Sequence, residues 1–233
     1  MIPEPGSTWN APIKIMTGNY RVIGVDESGK GDFFGPLVIA AFLASDNDKE
    51  KLAVLGVRDG KKISDNRLLE IDEKIRYSYP HCIVVVDPET YNRRYKKIKN
   101  LNKLLADGHA EAIAGVLIEN KADRIIVDQF GKPELIENAL HLKGCKIELQ
   151  QRFRGEEIIQ VAAASILARA AFIREIDKLS EKYKSNIPRG ASSLVDKAGQ
   201  QLVDKFGIEI LEKVSKMHFK NYSRVVNPSL FSM

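Results

Sequence analysis

The chain has 233 residues, with 36 Lys and Arg against 31 Asp and Glu, for a formal charge of +5. Its 44% hydrophobic and 29% charged residues are those of an ordinary globule, which excludes disorder, collagen and coiled coil; the length suits a core that needs no disulfides. The longest uncharged apolar run, Phe33 to Ala44, has twelve residues including Gly35 and Pro36, short of the roughly 20 that span a bilayer.

In chain order, Met1–Asn19 carries Pro3, Pro5, Pro12 and Trp9 without the apolar stretch of a secretory signal, so it reads as a short extension of a cytoplasmic protein. Residues 20–233 then alternate strands and helices. Strands are predicted at Arg21–Asp26, Leu37–Ala44, Cys82–Asp87, Arg124–Asp128 and Lys146–Gln150, mostly Val- and Ile-rich. Helices are predicted at Ser64–Tyr79 with Ser64 as N-cap, along the Leu101, Leu104, Leu105, Ala112, Ile113, Val116 stripe, and over much of Val161–Lys182. In that last helix the alanine-rich first half suits close approach to a sheet. Two short helical patterns follow Leu194. The glycine-rich turn between the first two strands permits an antiparallel hairpin, and helical crossovers favour parallel neighbours, so the fold class is α/β with a mixed five-stranded sheet flanked by helices and a C-terminal helical segment. Cys82 and Cys145 form no C-x-x-C pair and read as reduced.

The chemistry concentrates where strands end. Asp26 and Glu27 close an apolar strand and lead into Ser28-Gly29-Lys30-Gly31-Asp32-Phe33-Phe34-Gly35-Pro36. On a regular strand the two carboxylates point to opposite faces, so serving one site requires a bend, which Gly29 and Gly31 make possible. Alone, the segment reads as a solvated turn. Asp128 ends a second apolar strand, however, and Glu156-Glu157 open the long helix. Ligands of open α/β sheets collect at the carboxyl ends of parallel strands, which puts Asp26 and Asp128 on one rim if their strands are neighbours. Clustered acids repel, and two hard divalent ions remove the conflict while suiting attack on a phosphodiester.

The same residues resemble the type 2 ribonucleases H. Gly31-Asp32-Phe33-Phe34-Gly35-Pro36 is closer to ribonuclease HIII than to ribonuclease HII. Collinear matches follow at Val57–Asp65, Tyr91-Asn92, Asn100–Ala106 with His109, Val127–Phe130, Ala162–Arg169, Ile187–Ser192 and His218–Tyr222. The resemblance implies a ribonuclease H-like fold and endonucleolytic cleavage of the RNA strand of an RNA/DNA hybrid, leaving 5′-phosphate and 3′-hydroxyl ends. It also implies a pair of Mg²⁺ or Mn²⁺ ions held by Asp26, Glu27, Asp128 and a fourth acid. An ungapped match puts that acid at Gly155, and a one-residue shift selects Glu156, with Glu157 next to it. Ser28, Gly29, Lys30 and Gly31 resemble a loop whose backbone reads ribose 2′-hydroxyls; Lys30 stands where ribonuclease HIII has Thr and nears the Arg of ribonuclease HII, whose cleavage at single embedded ribonucleotides is the alternative.

Ribonuclease HIII proteins commonly carry an N-terminal substrate-binding domain, which the short extension predicts to be missing here. Lys61, Lys62 and the run Arg93, Arg94, Lys96, Lys97, Lys99 then become the phosphate-binding candidates, with a solvated loop as the competing reading. His109 reads as a hydrogen-bonded structural residue rather than a proton shuttle, and Ser165 as no nucleophile. The expected partner is a hybrid duplex bound by a monomer, with no membrane and no obligate protein partner. A junction-resolvase-like nuclease and a non-catalytic nucleic-acid-binding module are the rivals.

Overall fold

A computed structural model describes residues 19–58, 63–128, 130–145, 147–152 and 155–227. Strands β1 (Arg21–Ser28) and β2 (Leu37–Ser45) form the expected antiparallel hairpin, paired from Arg21↔Ser45 to Ser28↔Val38. Helices α1 (Lys49–Leu55) and α2 (Asp65–Ser78) lead to β3 (His81–Val86), and α3 (Pro88–Ile98) and α4 (Leu101–Leu117) lead to β4 (Arg124–Asp128). Next come α5 (Pro133–Leu142), β5 (Glu148–Arg152), a 3-10 turn at Gly155–Glu157 and the long α6 (Ile159–Tyr183). Helices α7 (Ser193–Phe206), α8 (Ile210–Val214) and α9 (Lys220–Val226) complete the described chain, in place of the two short patterns predicted.

The sheet order is β3-β2-β1-β4-β5, with β1, β4 and β5 parallel. One connection departs from expectation: β2 and β3 are antiparallel although helices join them. The α1–α2 excursion returns to the edge it left, so that Leu43 N donates to Pro80 O at 2.9 Å. With β2 alone reversed, the carboxyl ends of β1, β3, β4 and β5 share one rim.

The pleat sends alternate side chains into two cores. Ile23, Val25, Leu37, Ile39, Ala41 and Leu43 pack with α4 and α5, while Val38, Ala40, Phe42 and Ala44 pack with α6, α2 and α7. Ala162, Ala163, Ala164, Ala168 and Ala170 of α6 are all buried, as their small size predicted. Asp72 is fully buried but paired, taking Arg76 Nε at 2.8 and 2.9 Å and Arg174 Nη1 at 2.5 Å, which ties α2 to α6.

Two boundaries move for physical reasons. β1 runs past Asp26 because Glu27 and Ser28 still find partners in Ile39 and Val38. β5 begins two residues later than predicted, since the parallel register sets Glu148 against Arg124, the first residue of β4; Lys146 lies outside the described residues. The basic run also proves helical. Asp87 caps α3 by accepting from Thr90 N at 2.8 Å, and Pro88 occupies its first turn.

Candidate active site at the carboxyl rim

Asp26 and Asp128 stand side by side, each one step past the parallel pair Val25↔Val127. Asp26 faces α6. Its carboxylate accepts from Glu27 N at 2.8 Å and shares a hydrogen bond with Ser165. Burial first, then the charge of Glu27, push its carboxyl up to about 7; Asp128 acts in the same direction, while the hydrogen bonds oppose them. This is a carboxylate short of positive charge.

Glu27 lies one residue on and on the opposite face. β1 keeps its pairing through Ser28, so the backbone does not bend as expected, yet at the strand end the charge of Glu27 still reaches Asp26. Glu27 itself meets His109 Nε2 at 3.1 Å and Lys30 Nζ at 3.3 Å. Burial raises its carboxyl, but the hydrogen bond and charge of His109, with Lys30, outweigh it and hold the group below the usual range. His109 is fully buried against the Phe130 ring, centroids 4.6 Å apart, and among the described residues its Nδ1 has no hydrogen-bond partner. Lys30 sits 5.7 Å above the same ring. A residue expected in a sugar-reading loop therefore neutralises Glu27.

Asp128 Oδ1 accepts from Gly155 N at 2.9 Å, and a Cβ on Gly155 would lie 2.9 Å from Asp128 Cα. The 3-10 turn carrying Glu156 and Glu157 is thus pressed against the end of β4. Glu157 is exposed; the side chain of Glu156, like Lys61 and Lys62, lies outside what is described. Among the described residues no three His, Cys, Asp or Glu side chains form a ready metal cluster. The donors nevertheless suit a hard divalent cation, since they are carboxylate oxygens and the crowding at Asp26 is the conflict such a charge relieves.

The turn after Glu27 contains two unlike glycines. Gly29 has φ +84°, and a Cβ there would approach Pro36 O to 2.2 Å, so the fold demands glycine. At Gly31 a Cβ would meet nothing within 4 Å, so the fold makes no such demand. Around the turn, Asp32 Oδ1 accepts from Gly190 N at 2.6 Å and Phe33 N donates to Gly190 O at 2.9 Å. Arg93, Lys96 and Lys97 are exposed on α3, which starts at the same rim, and Lys99 is exposed at its C-cap. Sequence reasoning placed Asp32, Phe130 and Ser165 within matching segments without giving them a part in the site, and did not single out Lys216. Lys216 lies just before the His218–Tyr222 match and carried no signal of its own.

These features define a class, a nuclease-like α/β sheet with acids at its carboxyl rim, and comparison makes it specific. The family model described as Ribonuclease HII matches residues 23–222. Ribonuclease HIII of Protochlamydia amoebophila is 42% identical over 204 residues, covering 88% of this chain and 68% of the relative. The crystal structure of Bst-RNase HIII in complex with Mn2+ superimposes with TM-score 0.85 at 31% identity, over 92% of this chain and 71% of that one. RNase HII in the PCNA:RNase HII complex from Archaeoglobus fulgidus gives 0.73 at 29% identity, covering 88% and 96%. The chain belongs to the type 2 ribonuclease H family, with ribonuclease HIII relatives, and is a ribonuclease H with the mixed-sheet fold of that family.

Proposed function

We propose that residues 20–233 form the catalytic unit of an endonuclease, with Met1–Asn19 as an extension, that hydrolyses the RNA strand of RNA/DNA hybrids to 5′-phosphate and 3′-hydroxyl ends using two Mg²⁺ or Mn²⁺ ions. The observation that carries this reading is the placement of Asp26 and Asp128 each one residue past the parallel pair Val25↔Val127, where the charge of Asp128 acts on Asp26 and burial and like charge push its carboxyl up. Asp26, Glu27 and Asp128, with Glu156 or Glu157 as the fourth carboxylate, would hold the cations. When bound, such ions supply Lewis-acid activation of water and neutralise charge developing on the phosphodiester.

The chain's own groups do the rest. Ser165 and the Glu27 amide orient the Asp26 carboxylate. Lys30 and His109 hold Glu27 poised until a cation competes for it. Ser28, Gly29, Lys30 and Gly31 offer backbone to ribose 2′-hydroxyls, with Gly31 leaving the approach clear. Arg93, Lys96, Lys97 and Lys99, with Lys61 and Lys62, meet backbone phosphates. A structural relative holding Mn2+ supports divalent ions as the cofactor. The protein acts as a monomer in the cytoplasm; no described helix is long and apolar enough to cross a membrane.

The test compares wild type with Asp26→Asn on a hybrid in Mg²⁺ and in Mn²⁺. Cleavage should vanish while hybrid binding persists, and retained turnover would refute the assignment. A duplex with one embedded ribonucleotide beside one with a run of them separates the two subtypes, and cutting only the run places the chain functionally with ribonuclease HIII.

A further inference from the structure

Lys216 is fully buried between α8 and α9, yet among the described residues no carboxylate forms an ion pair with it. Its ammonium donates to backbone carbonyl oxygens of a single turn: Asp32 O at 2.8 Å, Gly35 O at 2.8 Å and Phe34 O at 3.3 Å. That consumes the donors a lysine has. Its own N–H donates to Phe33 O at 2.8 Å, and neighbouring Val214 O accepts from Gly35 N at 2.9 Å. On the far side Gly190 takes the Phe33 amide and caps the Asp32 carboxylate. The backbone from Asp32 to Gly35 is therefore committed inward, leaving Lys30 and Gly31 at the crest.

We infer that Lys216 is a positioning residue for substrate choice, fixing the peptide planes of the Gly29–Pro36 turn so that its crest distinguishes a ribose-bearing strand from DNA. This rests on the reading above, in which that turn meets 2′-hydroxyls. A backbone group selects a hydroxyl only if its direction is set beforehand, because hydrogen bonds weaken steeply off axis. Buried lysines are rare and costly unless satisfied, and an apolar residue would fill the same space. Capturing carbonyls of successive residues is something no apolar residue does. Asp72 shows the ordinary solution in the same molecule, a buried charge met by opposite charges that join two helices.

The experiment measures binding of an RNA/DNA hybrid and of a DNA duplex of the same sequence, in chelator, for wild type and Lys216→Met. Wild type should prefer the hybrid; Lys216→Met should lose about tenfold in hybrid affinity, the scale of one or two misdirected hydrogen bonds, with DNA affinity unchanged. Equal loss on both duplexes, or no loss, overturns the inference. A wild type without hybrid preference overturns instead the functional reading beneath it. Should Lys216→Met fail to fold, the slowly exchanging lysine ammonium signal of the unmodified protein is followed by ¹⁵N NMR at pH 6. Movement on adding hybrid but not DNA duplex supports the inference, and a signal indifferent to hybrid overturns it.

Discussion

Asp26 and Glu27 are chain neighbours at the end of one strand, and their surroundings are opposite. Glu27 faces α4 and meets His109 and Lys30; Asp26 faces α6 and meets a hydroxyl, an amide and further carboxylates. One is held below the usual carboxylate range and the other is pushed up to about 7. The pleat alone separates them, since β1 stays regular to Ser28. Glu27 is met by two cationic or donor side chains, while Asp26 is met by hydrogen bonds and by charges of its own sign.

The contrast breaks most sharply under isosteric substitution. Asp26→Asn should lower hybrid cleavage by about 10³-fold or more, as loss of a group at the reacting centre does. In chelator the same change should raise the melting temperature, because it removes a buried charge that faces charges of its own sign. Glu27→Gln should also cripple cleavage but lower the melting temperature, since it leaves Lys30 and His109 without their counter-charge. Melting curves of both variants check this, and shifts of the same sign would erase the contrast.

Divalent ions give the next effect. A ligand that binds only the folded state at a hundred times its Kd adds about 2.7 kcal/mol, and each kcal/mol moves a chain of this size by about 2–4 °C. Mn²⁺ should therefore raise the wild-type melting temperature by several degrees, reversibly with chelator, and leave Asp26→Asn nearly unmoved. Equal shifts in both proteins would place the ion elsewhere.

Lys216 repeats the situation of Asp26 with the sign reversed. Burial draws its ammonium down to about 7, against the charge of Asp32, with Tyr91 and His218 the other titratable groups facing it. Between that value and the ordinary lysine range the unfolded chain binds more protons, so stability rises with pH across the window and the cost is fully present below it. The stability of wild type relative to Lys216→Met, measured by denaturant, should grow from about pH 6.5 to about pH 9.5. A difference flat in pH would mean that the folded lysine keeps its ordinary affinity for protons.

Much of this was legible in the residues. Val-Ile runs ending in acid located β1 and β4, and their parallel pairing put Asp26 and Asp128 on one rim as expected. The rest depends on long-range pairing that local pattern does not encode. The antiparallel β2/β3 pair follows from where an excursion ends, and β5 from the first residue of β4. Lys216 looked like any surface lysine because its acceptors lie more than 180 positions away. His109 and Lys30 were visible, but only the pleat shows that both face Glu27. The fourth acid stayed open between Glu156 and Glu157 because helix starts carry no signal sharper than a residue or two.

The glycines of the turn carry a like contrast, crowded against open, into the backbone. Gly29→Ala forces a side chain onto a left-handed residue and against Pro36 O, so it should destabilise by about 1–3 kcal/mol and lower all activities together. Gly31→Ala meets open space, and its stability should stay within about 0.5 kcal/mol of wild type, as for exposed positions. If Gly31 is bare so that a sugar can approach, that silent change should still weaken hybrid binding several-fold and leave binding of a DNA duplex alone. A Gly31→Ala protein that binds hybrid as wild type does would return this glycine to an ordinary turn residue, and the crest of the loop would lose its claim to reading ribose.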